Sequence, residues 1–235
     1  MATKRKKSDK DSIDMLSEQL NIERIIQESI NLLNKEGIIQ LKMRKLADIL
    51  GIRAASLYYY IKDKSELLQL IAEDICSKVQ IPDPHLPWHE QLLHIMSEYR
   101  STLMSVRDSA EILLDTIPFT PKRLQLIDTL YRIFLDAGLP PEEVQMVSAS
   151  INNYVLCFVM DEMKIINMAT EQGLTVEEII AHGNEMFRNL PDDQYPNVIL
   201  MSNFIPRVDK DREFQYSLEL MIDGIKNRIV GLKSI

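Results

Sequence analysis

Apolar residues recur along residues 22–79 at the three- and four-residue spacing that is typical of amphipathic helices. Capping residues divide this pattern: Asn21 can cap the first helix, Gly37 and Gly51 can end the first and second, and Asp63 can cap the fourth. The segment is therefore predicted to form four consecutive helices with short connections. Their predicted ranges are 22–36, 43–50, 54–61 and 64–79.

Prolines separate this segment from the rest of the chain. Residues 81–87 read Ile-Pro-Asp-Pro-His-Leu-Pro, and each proline removes a backbone N–H and restricts the residue before it. Helical patterns then resume, while Pro191, Pro196 and Pro206 predict a loop before the last helix. Because no stretch shows the alternation of a strand, the fold class is predicted to be all-α. The later helices are predicted at 88–106, 108–115, 121–137, 140–168, 176–190 and 211–230.

Charge is distributed unevenly along the chain, whose formal net charge is −8. Residues 1–64 carry 13 Lys and Arg against 9 Asp and Glu, whereas residues 65–235 carry 14 against 26. A basic first part on an acidic body favours contact between the first part alone and a polyanion such as DNA. Chance clustering of charge in a helical protein is the alternative. Residues 1–19 are expected to be a flexible basic arm, which either contacts DNA or only aids solubility.

Other classes of function find little support in the sequence. Cys76 and Cys157 are the only cysteines and lack metal-type spacing, and His85 and His89 are kept off a common helix by intervening prolines. No set of nucleophile, base and orienting group is recognisable, and no apolar run reaches about 18 residues. We therefore expect a cytoplasmic protein that is not an enzyme, holds no metal or cofactor and has no membrane partner.

The segment 43–62 has the features that a helix-turn-helix requires. Ala47 is small where a second helix must cross closely, and Gly51 follows four residues later, where the turn needs a positive φ. Apolar residues on both sides can tie the two helices to a core. Many other helical hairpins share this pattern, so the spacing alone does not establish DNA binding.

Residues 20–80 resemble the DNA-binding domain of the tetracycline-repressor family. The resemblance rests on Arg44-Lys-Leu-Ala, Gly51-Ile, Ser56-Leu-Tyr-Tyr-Tyr and Lys62-Asp-Lys-Ser-Glu-Leu-Leu, and it extends more weakly into the remainder through Pro87-Trp and Val106-Arg-Asp. It implies a bacterial repressor that binds double-stranded operator DNA as a homodimer and is released by a small-molecule inducer. The expected domains are the arm at 1–19, a DNA-binding domain at 20–80 and a ligand-binding and dimerisation domain at 81–235.

Candidate DNA contacts surround the second helix of the motif. Arg44 is suited to bidentate contact with a guanine, Ala54 and Ala55 can offer only methyl groups, and Ser56 can donate or accept. The resemblance implies phosphate or backbone contacts for Tyr58, Tyr60 and Lys64, although core packing is expected for at least one of the tyrosines. The complete predicted set is Met43, Arg44, Arg53, Ala54, Ala55, Ser56, Tyr58, Tyr59, Tyr60, Lys62 and Lys64.

The ligand is expected to be largely apolar and to enter the helical bundle. The resemblance aligns the family's magnesium-coordinating histidine with Leu113 and a drug-contacting arginine with Ile117, so sensing of a tetracycline–magnesium complex is not expected. Asn153 and Tyr99 are expected to orient the ligand. The predicted lining is Met96, Tyr99, Leu103, Leu113, Thr116, Ile117, Phe134, Asn153, Cys157 and Met160, with Pro118, Leu130, Asn152 and Leu156 as further candidates.

Dimerisation is expected to use the last helix together with residues 144–159, as an intersubunit four-helix bundle. An apolar stripe marks the last helix, at Phe214, Leu218, Met221, Ile222, Ile225 and Ile229. The alternative function is a DNA-binding regulator whose second domain only dimerises or binds a protein partner, without a ligand.

Overall fold

A computed structural model describes residues 21–204 and 209–232 of the chain. Within these ranges the protein has eleven α-helices, one 3-10 turn (Ile38–Gln40) and no strand, which confirms the predicted all-α fold class. The predicted arm at 1–19 lies outside the described residues. The helices are α1 (Ile22–Glu36), α2 (Met43–Leu50), α3 (Ala54–Tyr60), α4 (Lys64–Ser77), α5 (Trp88–Met104), α6 (Ser109–Asp115), α7 (Pro121–Ala137), α8 (Pro141–Gln172), α9 (Val176–Arg188), α10 (Pro196–Ser202) and α11 (Lys210–Leu232).

Helices α1 to α4 form a small head in which local signals set the helix ends. The Asn21 side chain accepts a hydrogen bond from the backbone N–H of Arg24 at 2.8 Å, and Asp63 caps α4 through the N–H of Glu66 at 2.9 Å. Gly51 ends α2 in the left-handed region at φ 71°. Leu46 and Leu57 are fully buried between the helices, so α2 and α3 are fixed against a common core.

Helix α4 links the head to the larger body. Its Leu67, Ile71, Ile75 and Cys76 are buried. The helix packs against α1 of the head and against α5, α6 and α7 of the body. The body consists of α5, α6, α7, α8 and α11, whose apolar faces meet in one continuous core. The prolines of residues 81–87 separate α4 from α5, as the sequence predicts.

Two joints beside α4 hold head and body together. Asp108 adopts a left-handed conformation at φ 60°, and its carboxylate accepts a hydrogen bond from the backbone N–H of Ile38 at 2.6 Å. The Asn34 side chain accepts from the N–H of Arg107 at 2.8 Å. On the other side, Glu73 of α4 accepts from the N–H of Lys122 at 2.8 Å, at the start of α7. The α5–α6 turn and the α7 N-terminus are therefore both attached to the head.

The structure corrects the predicted loop between Pro191 and Pro206. Residues 196–202 form the short helix α10, with Pro196 at its first position, where the missing N–H costs nothing. The prediction treated this proline only as a helix breaker. Helix α8 is also longer than predicted, since it continues to Gln172 and ends at the left-handed Gly173. Helix α9 packs on α8 and α10, and none of its residues is buried.

Candidate DNA-binding surface and ligand cavity

The first turn of α3 is exposed on the head. Arg53 precedes the helix in an extended conformation, and Ala55 and Ser56 follow it, each exposed to solvent. Leu57 is fully buried and holds the helix to the core. Ala54 is half-buried against that core, so Ala55 is the member of the predicted pair whose methyl group is exposed. The exposed turn is free to approach the edges of base pairs.

The three consecutive tyrosines of α3 point in different directions. Tyr59 is 86% exposed and Tyr58 is 49% exposed, whereas Tyr60 packs against the core of the head. The Tyr60 ring also meets the edge of the Tyr59 ring, with centroids 5.5 Å apart. Tyr58 and Tyr59 can therefore reach a DNA backbone, and Tyr60 is the member of the run with a packing role.

The start of α2 carries a second set of basic side chains. Arg44 is exposed, and its guanidinium makes no ion pair or hydrogen bond with any residue that the structure describes. Met43 is only 9% exposed and packs into the head core, which removes its side chain from the predicted DNA-contacting set. Lys45 is paired with Glu36. Lys42, which the sequence analysis did not single out, is exposed just before the helix.

The end of α3 requires one further correction. The predicted phosphate anchor Lys64 is half-buried, and its ammonium donates to the backbone carbonyl of Ile38 at 3.1 Å, inside the head. Lys62 is exposed, and its ammonium has no partner among the described residues. Lys62 therefore takes the place of Lys64 as the cation available to a phosphate. Lys42, Arg44, Arg53 and Lys62 thus provide four exposed positive charges at the ends of α2 and α3, and none of them is paired with a residue that the structure describes.

A cavity of about 400 Å³ lies in the body between α4, α5, α6, α7 and α8. Its wall is mainly apolar, with a few polar groups, as is typical of small-molecule sites. The lining residues are Cys76, Ile95, Met96, Tyr99, Leu113, Leu114, Thr116, Pro118, Arg123, Leu126, Ile127, Leu130, Tyr131, Gln145, Ser148, Ala149, Asn152 and Leu156.

The structure brings part of the predicted ligand set to this cavity. Met96, Tyr99, Leu113 and Thr116 line it, and so do the further candidates Pro118, Leu130, Asn152 and Leu156. Leu103 and Phe134 are fully buried in the core instead. Ile117 is 59% exposed, because it follows the end of α6 and points into solvent. These three side chains are therefore corrected to positions outside the cavity wall.

Three predicted residues of α8 also lie elsewhere. Asn153 and Cys157 are exposed on the outer face of the helix, and Met160 borders a separate cleft beside Arg107. The amide that reaches the cavity in place of Asn153 is that of Asn152, one residue earlier. Successive helical residues differ in direction by about 100°, so this shift of one residue moves the amide from outside to inside.

Two protonated groups face the cavity near its centre. The Tyr99 hydroxyl donates to the Asn152 side chain at 3.5 Å, and burial raises the pKa of Tyr99 well above its usual range. Burial likewise raises the pKa of the Cys76 thiol to about 12. Both groups therefore stay neutral at physiological pH and can only donate or accept hydrogen bonds.

Arg123 and Ser148 are the buried polar residues of the cavity wall that the sequence analysis missed, and Tyr131 and Gln145 are less buried ones. Arg123 is 7% exposed and binds the C-terminal end of α6: it donates to the Thr116 hydroxyl at 2.7 Å and to the Leu113 carbonyl at 3.0 Å. Ser148 is 5% exposed, and its hydroxyl has no hydrogen-bond partner. Helical periodicity indicates that positions 123, 126, 127 and 130 share a face of α7, which was the available signal for Arg123.

The predicted dimer stripe on α11 faces the chain's own body. These side chains pack against α5 and α8, and Met221 is half-buried at the edge. The stripe is therefore corrected to an intramolecular contact. The opposite face of α11 exposes Tyr216 and Leu220, and the outer face of α8 exposes Met146. The buried members of the stripe are Phe214, Leu218, Ile222, Ile225 and Ile229.

The described residues also bear on metal sites and membrane spans. Nowhere in 21–204 or 209–232 do three or more His, Cys, Asp or Glu side chains come together in a way that could hold a metal ion. None of the helices in those ranges is both long and apolar enough to cross a membrane.

Comparisons with known proteins identify relatives of the whole chain. The family model described as "Tetracyclin repressor-like, C-terminal domain" matches residues 81–229. The class E tetracycline repressor protein of Escherichia coli is 30% identical over 147 residues, which cover 61% of this chain and 69% of that protein. The class D protein of the same species is 26% identical over 92% of this chain and 94% of its own.

A solved structure shows the same architecture. The Streptomyces coelicolor protein ActR in complex with actinorhodin superposes with a TM-score of 0.77 at 25% sequence identity, covering 89% of this chain and 98% of ActR. That neighbour therefore shares the arrangement of head and body over nearly its whole length.

Proposed function

Because this chain belongs to the tetracycline-repressor-like family, we propose that it is a cytoplasmic transcriptional repressor that a small-molecule inducer releases from its operator. The head supplies an exposed α3 and four uncompensated cations for double-stranded DNA. The body supplies a cavity large enough for an organic ligand. No chemical step is assigned to either part, and both act by binding.

The observation that carries this proposal is the double role of α4. The same helix packs against α1 of the head and contributes Cys76 to the wall of the cavity. A ligand that contacts Cys76 therefore acts on an element to which α3 is attached by packing. Glu73, on the same helix, holds the N-terminus of α7, which forms another wall. Head and cavity are in this way mechanically connected.

Release requires two arrangements of the heads with different affinities for DNA. A dimer places two recognition helices about 34–36 Å apart to enter successive major grooves. An inducer shifts the equilibrium only by its differential affinity for the DNA-competent and the released arrangement. The coupling is reciprocal, so operator DNA weakens inducer binding by the same factor by which the inducer weakens operator binding.

The homodimer is proposed to form through the outer faces of α8 and α11. Met146 on α8 and Tyr216 and Leu220 on α11 are large apolar side chains that are more than half exposed in the single chain. Two such helices from each subunit make a four-helix interface. We expect Leu220→Asp to shift the sedimentation coefficient from dimer to monomer, whereas Leu135→Asp, at an exposed leucine of α7, leaves the dimer intact.

The experiment that tests this function combines operator selection with a ligand screen. Selection from a random duplex library should yield a two-fold symmetric site, and an inducer is recognised by its release of the protein from that site. Leu113→Trp should fill the cavity. The ratio of the operator affinity without inducer to the operator affinity with inducer should then fall to one. Leu135→Trp, which lies outside the lining, should keep the wild-type ratio. A normal ratio for Leu113→Trp, or no selected duplex, contradicts the proposal.

A further inference from the structure

The wall of the cavity carries one formal charge, and that charge is positive. Among its eighteen lining residues Arg123 is the only ionised side chain at neutral pH, and no Asp or Glu is present. The chain as a whole has a net charge of −8, so the composition of this wall departs from that of the molecule around it. A buried cation in an apolar cavity is costly unless a counter-charge accompanies it.

Neutral groups hold the Arg123 guanidinium in place. Besides the Thr116 hydroxyl and the Leu113 carbonyl, it donates to the carbonyls of Ile117 at 3.2 Å and Thr116 at 3.3 Å. All four acceptors belong to the end of α6, where the helix dipole favours a cation. Within the described part of the chain the guanidinium forms no ion pair with a carboxylate. The Glu73 carboxylate accepts from the backbone N–H of Arg123 at 3.4 Å, not from its guanidinium. The protein thus satisfies the hydrogen bonds of Arg123 and leaves its charge without a partner.

A second polar group on another wall also lacks a partner. The Ser148 hydroxyl of α8 is buried, lines the cavity and makes no hydrogen bond. A buried hydroxyl without a partner carries a desolvation penalty that a bound polar atom would remove. Most of the remaining wall consists of Leu, Ile, Met and Ala side chains. The cavity wall therefore has a cation on α7, an unused hydroxyl on α8 and an apolar space between them, but no acidic side chain.

We propose that the ligand of this cavity is an amphipathic organic anion, with an apolar body and one anionic oxygen group, a carboxylate or an ionised phenol, that pairs with Arg123. A second polar atom of the ligand bonds to Ser148. This inference rests on the proposed ligand-responsive function and names the chemical class of the ligand. Arg123 determines specificity for charge, because a neutral ligand of the same shape leaves the guanidinium without a counter-ion.

Two fluorescent probes of nearly equal size test the charge preference. 1-Anilinonaphthalene-8-sulfonate is an apolar anion, and N-phenyl-1-naphthylamine is the same ring system without the sulfonate. We expect the full chain to bind the anionic probe at one site per subunit and about tenfold or more tightly than the neutral probe, since hydrogen bonds to charged groups contribute about that factor. Equal affinities for the two probes overturn the inference.

Matched variants assign the preference to Arg123. Arg123→Gln should abolish the preference for the anion while the neutral probe still binds, and Arg123→Lys should retain most of it. Leu126→Trp, on the same face of α7, should block both probes and so place them in the cavity. Far-ultraviolet circular dichroism checks that each variant is folded. A preference that survives in folded Arg123→Gln overturns the inference.

Competition experiments distinguish the two possible anionic groups of the ligand, a carboxylate and an ionised phenol. Naphthalene-2-carboxylate should displace the anionic probe more effectively than naphthalene-2-carboxamide does. 2-Naphthol should compete effectively only as the pH rises through its own pKa if a phenolate is accepted. Both probes binding equally contradicts the anionic class while leaving the proposed ligand-responsive function intact. If neither probe enters the cavity, both the anionic class and the proposed ligand-responsive function are contradicted.

Discussion

The head and the body of this protein present their functional groups in opposite directions. In the head, Leu46 and Leu57 fill a small core, and the groups for DNA point outward from it. In the body, the core is incomplete, and the groups for a ligand point inward at a space of about 400 Å³. An outward site depends on which residues a short helix exposes. An inward site depends on how several long helices are rotated against one another.

Truncation of one leucine in each region should show the largest effect. Leu57→Ala in the filled head should lower the free energy of unfolding by about 2–5 kcal/mol. Leu130 borders the existing cavity and already lacks neighbours on that side. Leu130→Ala should therefore lower the free energy of unfolding by a smaller amount, about 2 kcal/mol. Urea denaturation of the dimer at fixed protein concentration measures both. Equal losses would mean that the body is packed as completely as the head.

Substitution of two glycines should compare the joint between head and body, at Gly37, with the turn inside the head, at Gly51. At Gly37 the backbone has φ 78° and ψ 171°, and an added Cβ would lie 3.0 Å from the Asp108 carboxylate. Gly37→Ala should therefore cost about 2–3 kcal/mol. At Gly51, where a Cβ meets nothing within 4 Å, Gly51→Ala should cost only about 1 kcal/mol of left-handed strain. Thermal unfolding compares the two, and a larger effect at Gly51 would contradict the tight joint.

Within the head, Arg44 should contribute mainly to specificity for the operator sequence, and Lys62 should contribute to the affinity for any duplex. Arg44→Ala is expected to weaken the selected operator by about 1–3 kcal/mol per half-site, with less effect on random duplex. Lys62→Ala should weaken both and reduce the salt dependence, for which about eight phosphate contacts per dimer imply a slope near −7. Fluorescence anisotropy at several salt concentrations measures these effects. Lys122→Ala in the body is the control, and identical behaviour of the two head variants would remove the distinction.

The smallest effect is expected at Lys64. Its ammonium donates to the Ile38 carbonyl, so Lys64→Ala should cost about 1 kcal/mol of stability and leave the slope of affinity against salt unchanged. Calorimetry and the same anisotropy titration measure the two quantities. A reduced slope would show that Lys64 leaves its internal partner to contact a phosphate.

The head could be predicted closely because its determinants are local. Asn21, Gly51 and Asp63 act on backbone groups within a few residues, so the sequence alone places the helix ends. The internal use of Lys64 was not predictable, since its partner Ile38 lies 26 residues away. The exposure of Lys42 and the burial of Met43 follow from the rotation of α2, which the spacing of Leu46 and Leu50 already restricts.

The body could be predicted only as a set of helices. Asn152 and Asn153 are chemically identical, and tertiary packing alone decides which one faces the cavity. A charged residue such as Arg123 is usually assigned to solvent, and its burial depends on the carbonyls at the end of α6. The apolar stripe of α11 fits an intersubunit contact as well as an intramolecular one, and only the packing of Phe214 and Leu218 distinguishes them.

The length of α4 gives the protein a lever. Its 14 residues span about 21 Å at the rise of an α-helix. A rotation of only about 10° about the Cys76 end would move the head end by about 3.7 Å, which exceeds the tolerance of hydrogen bonds to base edges. Under the proposed function, an adjustment of side chains around a bound ligand, of the order of one ångström, would thereby be amplified several-fold at the DNA. A shorter or less rigid α4 would require a proportionally larger motion in the body.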